Sequence, residues 1–149
     1  MKIMTAYDIT IKNYNHVFKD SVCIYRNAVD FLINVCLKEW DSISVINGLH
    51  SRCIYVESLV HKTKKRPVVP YAFDSKFYKF PSYLLRSAIC CALGKASSYL
   101  SNLSNWSNAD LKAKGQKPGF PHAGFVFPWT QVFKTSERVR LSDAQTEPY

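Results

Sequence analysis

Apolar and polar residues alternate at the start of the chain and then change to a helical period. Over residues 1–12 the odd positions are mostly apolar or β-branched and the even positions mostly polar, which predicts a half-buried strand. From Asp20 to Trp40 apolar residues recur at steps of three and four, which predicts a long amphipathic helix. The predicted buried face of this helix is Val22, Tyr25, Val29, Leu32, Ile33, Cys36, Leu37 and Trp40.

Two further helices are predicted by the same spacing. One runs from about Ser44 to His61, although Gly48 weakens its start. Its apolar set is Val45, Leu49, Cys53, Val56 and Val60. The other begins at Pro81, a favourable first helical residue, and fades over residues 101–105. Its apolar stripe is Leu84, Leu85, Ala88, Ile89, Ala92, Leu93, Ala96, Tyr99, Leu100 and Leu103, whose alanines at steps of four permit close contact with another helix.

The segments between these elements are basic and rich in helix breakers. Residues 62–67 (KTKKRP) predict a basic loop. Residues 112–128 predict an extended basic connector that leads to a short strand at residues 125–127, and residues 129–149 predict an atypical or disordered tail. We therefore expect a mainly α fold with minor β structure, in which residues 13–111 form a helical bundle after the first strand. Two strands cannot form a stable sheet alone, so the β portion is incomplete.

The net charge indicates the class of binding partner, and the cysteine spacing indicates the cellular compartment. The 149 residues contain 20 Lys and Arg against 11 Asp and Glu, a net charge of +9, which favours nucleic acid or an anionic membrane surface as a partner. No apolar run approaches a spanning helix and no secretory signal is visible, so we expect a cytoplasmic protein with no membrane partner. Five cysteines at wide spacing do not resemble a disulfide framework. Four of the five fall on apolar faces, so we expect small buried apolar residues in a reducing compartment.

Sequence motifs of common enzymes are absent. The chain contains no phosphate-binding GxxxxGK[ST], no dinucleotide-binding GxGxxG, no HExxH and no GxSxG. Its carboxylates are scattered and do not predict the convergent set that a two-metal nuclease requires. His50 and Cys53 lie one helical turn apart but lack a second pair of metal ligands. We therefore predict no catalytic residue, no metal site, no cofactor and no small-molecule substrate.

Basic residues interleaved with aromatic residues are the strongest functional signal. Three groups of cations are Lys62, Lys64, Lys65 and Arg66; Lys76, Lys79 and Arg86; and Lys112, Lys114 and Lys117. The interleaved aromatic residues are Tyr71, Phe73, Phe77, Tyr78, Phe80 and Tyr83. Cations neutralise phosphates whatever the base sequence, and aromatic rings stack on unpaired bases. The alternative is that the aromatic residues hold the loop against the helices and the cations only keep the protein in solution.

A series of motifs in the second half of the chain resembles that of a known protein family. It consists of residues 80–89 (FPSYLLRSAI), Ala92, residues 98–99 and 105–106, and residues 114–121 (KGQKPGFP). Together with the first strand and residues 25–29 (YRNAV), this series resembles the N-terminal part of the TnpB/OrfB proteins of insertion sequences. These proteins are RNA-guided DNA nucleases related to type V CRISPR effectors. The resemblance covers roughly residues 3–127, and the helix followed by KGxKPxFP is its most specific feature.

The resemblance implies an architecture and a set of binding residues. The first strand would belong to a wedge β-barrel, and the helices would form a recognition bundle inserted into it. The helix that begins at Pro81 would lie against duplex DNA beside the target-adjacent motif. By this resemblance Ser82, Tyr83 and Arg86 would contact the duplex, and the connector with Lys112, Lys114 and Lys117 would lie near guide RNA. The charge clusters add Lys64, Lys65, Arg66 and Lys79 to the predicted nucleic-acid-binding residues. Arg86 would donate to a guanine edge or to a phosphate.

The chain departs from the family pattern in its chemistry. The catalytic carboxylates of the RuvC-like domain and the CxxC…CxxC zinc ribbon are absent from the sequence, and the likeness ends after Phe127. We therefore expect a truncated, non-enzymatic fragment that binds nucleic acid without cleaving it. Two alternatives stay open. One is a helical protein–protein adaptor whose groove lies between helices 22–40 and 81–103, and the other is a free-standing regulator that competes with a longer relative.

Overall fold

Helices make up most of the described chain. The computed structural model describes residues 16–110 and 114–124, and describes side chains from residue 19 onward. Its helices are α1 (His16–Lys38), α2 (Trp40–Ser44), α3 (Leu49–Val60), α4 (Phe73–Lys76) and α5 (Ser82–Asn108). Within residues 16–110 and 114–124 the only β pairing is an isolated antiparallel bridge between Thr63 and Arg66. The mainly α prediction is confirmed, whereas the predicted strands at residues 1–12 and 125–127 and the predicted tail at 129–149 lie outside the described residues.

Helix α1 buries most of the face that its period predicts. Tyr25, Val29, Leu32, Ile33 and Cys36 are buried, and Val22, Leu37 and Trp40 pack at the edge of the core. The helix begins at His16, before the predicted start, and ends at Lys38. The predicted helix extends to Trp40, but the backbone leaves the helical conformation at Glu39. Trp40 is instead the first residue of the short helix α2.

Helix α3 begins five residues later than its apolar spacing predicts. Gly48 has a φ of 85° and precedes the helix, and this left-handed conformation, which suits glycine, separates α2 from α3. The prediction that Val45 and Leu49 belong to a buried face is therefore wrong, since their side chains are 77% and 59% exposed. Val56 and Val60, farther along the same predicted face, are fully buried.

Helix α5 is the central element of the core and contacts both α1 and α3. It begins one residue after the predicted start, because Pro81 is extended and the first helical residue is Ser82. It continues to Asn108, beyond the predicted end. Its alanines at steps of four, Ala88, Ala92 and Ala96, are fully buried. Small side chains at this spacing let the backbones of α1 and α5 approach closely, and α1 with α5 is the most extensive helix pair.

Fewer cysteines are buried than the four expected on apolar faces. Cys23 and Cys90 are exposed, Cys53 and Cys91 are partly buried, and Cys36 alone is fully buried. Burial raises the pKa of the Cys36 thiol to about 12. Cys36 is therefore the one cysteine of this set that behaves as a small apolar core residue.

Candidate nucleic-acid interface

Helices α3 and α5 run antiparallel, as two side-chain pairs establish. Sγ of Cys53 lies 3.2 Å from Sγ of Cys90, and Oε2 of Glu57 lies 3.5 Å from Nε of Arg86. Four residues forward in α3 therefore correspond to four residues backward in α5. The end of α3 and the loop after it lie beside the start of α5.

This packing brings two cation groups that are separate in the sequence to one end of the molecule. We call this surface the basic end. It is formed by Lys62, Lys64, Lys65, Arg66, Lys76, Lys79 and Arg86, all of which are exposed. Of the predicted nucleic-acid-binding residues, Lys64, Lys65, Arg66, Lys79, Ser82, Tyr83 and Arg86 lie here. Ser82 is exposed at the first position of α5, and Tyr83 beside it is partly buried.

A tight turn presents the cations of the 62–67 loop. The backbone N–H of Thr63 donates to the carbonyl of Arg66 at 3.0 Å, and the N–H of Arg66 donates back at 2.9 Å. Asp74 in α4 holds the base of the loop, because it accepts the backbone N–H of Lys62 at 2.8 Å and lies 3.1 Å from Nδ1 of His61. The side chains of Lys64 and Lys65 at the tip take no part in this framework.

Nearby carboxylates leave the tip of the loop positively charged. Glu57 pairs with Arg86, and Asp74 binds the base of the loop. Of the carboxylates that the structure describes, none lies within 4.0 Å of a side-chain nitrogen of Lys64, Lys65 or Arg66. Exposed cations without carboxylate partners are the groups that displace counterions from a polyphosphate backbone.

The interleaved aromatic residues range from fully buried to exposed. Phe73 is fully buried and Phe77 nearly so. Their rings lie 5.8 and 6.0 Å from that of Phe31, in edge-to-face arrangements. These rings hold α4 against α1, as the alternative to base stacking expects. Tyr78, at 80% exposure, is the ring near the basic end that is open to a base, and Nζ of Lys79 lies 5.3 Å from its centroid.

Two of the predicted connector cations, Lys114 and Lys117, lie at the opposite end of α5. Nζ of Lys114 is 4.3 Å and Nζ of Lys117 is 6.0 Å from the ring of Trp106. Trp106 also donates its indole N–H to the carbonyl of Gly115 at 2.8 Å. With a rise of 1.5 Å per residue, Trp106 is about 36 Å along the helix from Ser82. The structure thus separates Lys114 and Lys117 from the basic end, while Lys112 lies outside the described residues.

One residue absent from the predicted binding set stands out in the structure. Nζ of Lys76 lies 5.3 Å from the ring centroid of Phe31 and borders an open groove of about 660 Å³ between α1 and the α4 region. Asn27, Asn34 and Tyr78 also line this groove. Lys76 belongs to the second cation group of the sequence, but its approach to Phe31 depends on how α4 packs on α1.

The described residues contain neither a cluster of metal ligands nor a helix that could cross a membrane. Within residues 16–110 and 114–124, no three side chains of His, Cys, Asp or Glu converge as a metal site would require. In the same segments no helix combines the length and apolar character needed to cross a bilayer.

Comparison with known proteins gives a family but no activity. The sequence profile of the Aq_aa04 family matches residues 5–141, so the chain belongs to the Aq_aa04 family. No curated protein and no solved structure matches it.

Proposed function

We propose that the chain binds nucleic acid through the phosphate contacts of its basic end and does not cleave it. One observation carries the proposal: antiparallel packing of α3 on α5 gathers exposed cations from two parts of the sequence. The two carboxylates nearest to them, Glu57 and Asp74, are already engaged. Positive charge gathered on one surface favours a polyanion over a partner with dispersed charge.

The proposed ligands follow from the resemblance to TnpB/OrfB proteins. We propose that α1, α3 and α5 act as a recognition bundle and that residues 1–12 supply a wedge strand. Guide RNA and target-adjacent duplex DNA would be the partners. Ser82, Tyr83 and Arg86 at the start of α5 would face the duplex, and the connector with Lys112, Lys114 and Lys117 would follow the RNA backbone. Two regions of contact about 36 Å apart suit an extended nucleic acid, because a duplex of about ten base pairs has this length.

An adaptor function receives less support from the packing. It requires an open apolar groove between helices 22–40 and 81–103. The apolar faces of α1 and α5 are instead buried against each other, with Leu32, Ile33 and Ile89 fully inaccessible to solvent. A free-standing regulator that competes with a longer relative uses the same basic end and makes the same binding predictions.

The experiment is a titration of labelled duplex DNA and of a hairpin RNA with the full chain at two salt concentrations. We expect affinity to fall steeply with salt, because each phosphate contact on duplex DNA contributes about −0.9 to the log–log slope. In the variant Lys64→Gln/Lys65→Gln the slope should become shallower by about 2. The matched control is Lys19→Gln/Lys38→Gln, which removes two exposed lysines from α1.

The outcomes separate the proposal from its rivals. An equal loss in both double variants would show that net charge alone drives binding, and a salt-independent affinity would contradict phosphate contacts. Incubation of the labelled duplex with Mg²⁺ and the chain tests cleavage, and we expect the duplex to stay intact.

A further inference from the structure

Two cysteines from different helices meet at the surface. Sγ of Cys53 in α3 and Sγ of Cys90 in α5 lie 3.2 Å apart, although 37 positions separate them in the sequence. A disulfide needs a sulfur–sulfur distance of about 2.05 Å, so the sulfurs must approach by only about 1.1 Å. Because α3 and α5 already contact each other, we expect side-chain rotations to bring the sulfurs together while the helices stay packed.

We propose that Cys53 and Cys90 form a thiol pair that low-molecular-weight disulfides oxidise reversibly to an α3–α5 disulfide. Cys90 is exposed and accessible to the oxidant, whereas Cys53 is partly buried and contacts Cys90. The inference rests on this geometry and is independent of nucleic-acid binding.

Burial and the hydrogen bond to Cys90 raise the pKa of the Cys53 thiol to about 12. The order of reaction follows from exposure: the exposed Cys90 reacts with the oxidant first, and the partly buried Cys53 resolves.

The reaction balances as two thiol–disulfide exchanges. The Cys90 thiolate attacks one sulfur of the oxidant RSSR, a Cys90–SR bond forms, and RS⁻ leaves and takes up the proton that Cys90 released. Cys53 then loses its proton and attacks Sγ of Cys90, and the second RS⁻ leaves with that proton. The protein loses two electrons and two protons, and RSSR is reduced to two RSH.

The other cysteines are poor partners for this pair. Cys91 follows Cys90 on the same helix, where successive side chains point about 100° apart. Cys36 is fully buried, and Cys23 is exposed on α1. Oxidation of Cys23 would link two copies of the chain, which a non-reducing gel separates from an internal disulfide.

The location of the pair gives the disulfide a structural consequence. Cys53 and Cys90 lie one helical turn from the Glu57–Arg86 ion pair, so the bond would fix α3 to α5 beside the basic end. The closed segment contains the 62–67 loop and α4. Closing this segment restricts the unfolded chain, so we expect a higher thermal unfolding midpoint in the oxidised protein.

The test is to incubate the reduced full chain with oxidised glutathione, alkylate the remaining thiols and map the product by mass spectrometry. The chain has five cysteines, and we expect alkylation at three of them. A peptide pair joining Cys53 to Cys90 should appear, with a loss of about 2 Da relative to the reduced chain. Dithiothreitol should restore all five thiols and the lower unfolding midpoint.

Single variants identify the pair and the order of attack. Cys53→Ser should accumulate a stable glutathione adduct on Cys90. Cys90→Ser should form no internal disulfide and no adduct on Cys53, and the control Cys91→Ser should behave as the wild type. Helical circular dichroism confirms that each variant is folded. Five alkylated thiols in the treated wild type, a Cys90–Cys91 bond or a Cys23-linked dimer as the main product would each overturn the proposal.

Discussion

The guanidinium Nε of Arg86 lies 3.5 Å from Oε2 of Glu57, across the interface between α5 and α3. The Arg86 side chain is 69% exposed, whereas that of Glu57 is only 23% exposed. The carboxylate is therefore fixed in the interface, and the guanidinium extends over it toward solvent. Glu57 would therefore compete with DNA for Arg86, the arginine for which the TnpB/OrfB resemblance implies a contact with DNA.

Replacing Glu57 by Gln should strengthen binding to duplex DNA. The substitution keeps the side-chain volume and removes the charge that competes with phosphate for Arg86. An exposed ion pair contributes at most about 1 kcal/mol, so we expect an affinity gain of roughly two- to fivefold at low salt. The measurement is a fluorescence anisotropy titration of a labelled duplex at two salt concentrations.

The control for this variant is Asp41→Asn, which removes one exposed negative charge from α2. If both variants gain equally, net charge explains the result and Arg86 has no particular part in binding. The double variant Glu57→Gln/Arg86→Gln should bind no more tightly than the wild type.

Exposure of the rings predicts that Tyr78 contributes to binding and not to stability. Its side chain is 80% exposed, so Tyr78→Ala should change the free energy of unfolding by no more than about 0.5 kcal/mol. Stacking on a base contributes about 1–3 kcal/mol, and the variant should lose this amount on single-stranded RNA. Urea denaturation and an RNA titration measure the two effects.

Phe73 supplies the opposite case in the same segment. It is fully buried, and Phe73→Ala should lower the free energy of unfolding by about 3–5 kcal/mol. Where the variant is still folded, its RNA affinity should match that of the wild type. A stable Phe73→Ala protein with impaired RNA binding would reverse the assignment of these two rings.

The long helices could be predicted wherever an uninterrupted period coincides with a clear start or end. For α5 the apolar stripe and Pro81 predict the start to within one residue of Ser82. For α3 the same spacing runs through Gly48 without a break, and only the positive φ of this residue shows where the helix begins. Helix α4 has four residues, too few for a period, and depends on the burial of Phe73 in the core.

The candidate site was predictable in its residue types and not in its arrangement. Lys64 and Arg86 are visible as cations in the sequence, but their common location depends on the antiparallel packing of α3 on α5. The same cation clustering gave no sign that Lys114 would lie beside Trp106 at the far end of α5. Spacing along a chain reports which face of one helix a residue occupies, and the ends of different helices meet only through tertiary contacts.

We expect the protein to lose stability at high pH because the Tyr71 hydroxyl has a raised pKa. Its hydroxyl donates to Oε1 of Glu39 at 2.6 Å, and this hydrogen bond, with burial, raises the pKa of Tyr71 from 10.0 to about 12. The folded state therefore keeps a proton that the unfolded state releases above pH 10. The resulting stabilisation is complete below pH 10 and is lost as the pH rises through about 12.

The variant Tyr71→Phe removes this proton and isolates its effect. At pH 7 it should lower the free energy of unfolding by about 0.5–1.5 kcal/mol, because one hydrogen bond is lost. Between pH 9 and 11.5 the difference from the wild type should shrink. Urea denaturation of both proteins across this range gives the difference, and a constant difference would show that Tyr71 titrates alike in both states.

We expect Asp30 to hold the connector against helix α1. Its Oδ1 accepts the backbone N–H of Ala123 at 2.6 Å and lies 4.0 Å from Nδ1 of His122, which joins positions 93 residues apart. In Asp30→Ala this backbone N–H loses its acceptor, so its amide should exchange hydrogen faster. Hydrogen exchange with mass spectrometry should show the increase in peptides covering residues 114–124 and no change in α5. The control Asp20→Ala removes an exposed carboxylate from the same helix and should leave the connector unchanged; faster exchange in both variants would indicate a general loosening of α1 instead of a specific contact.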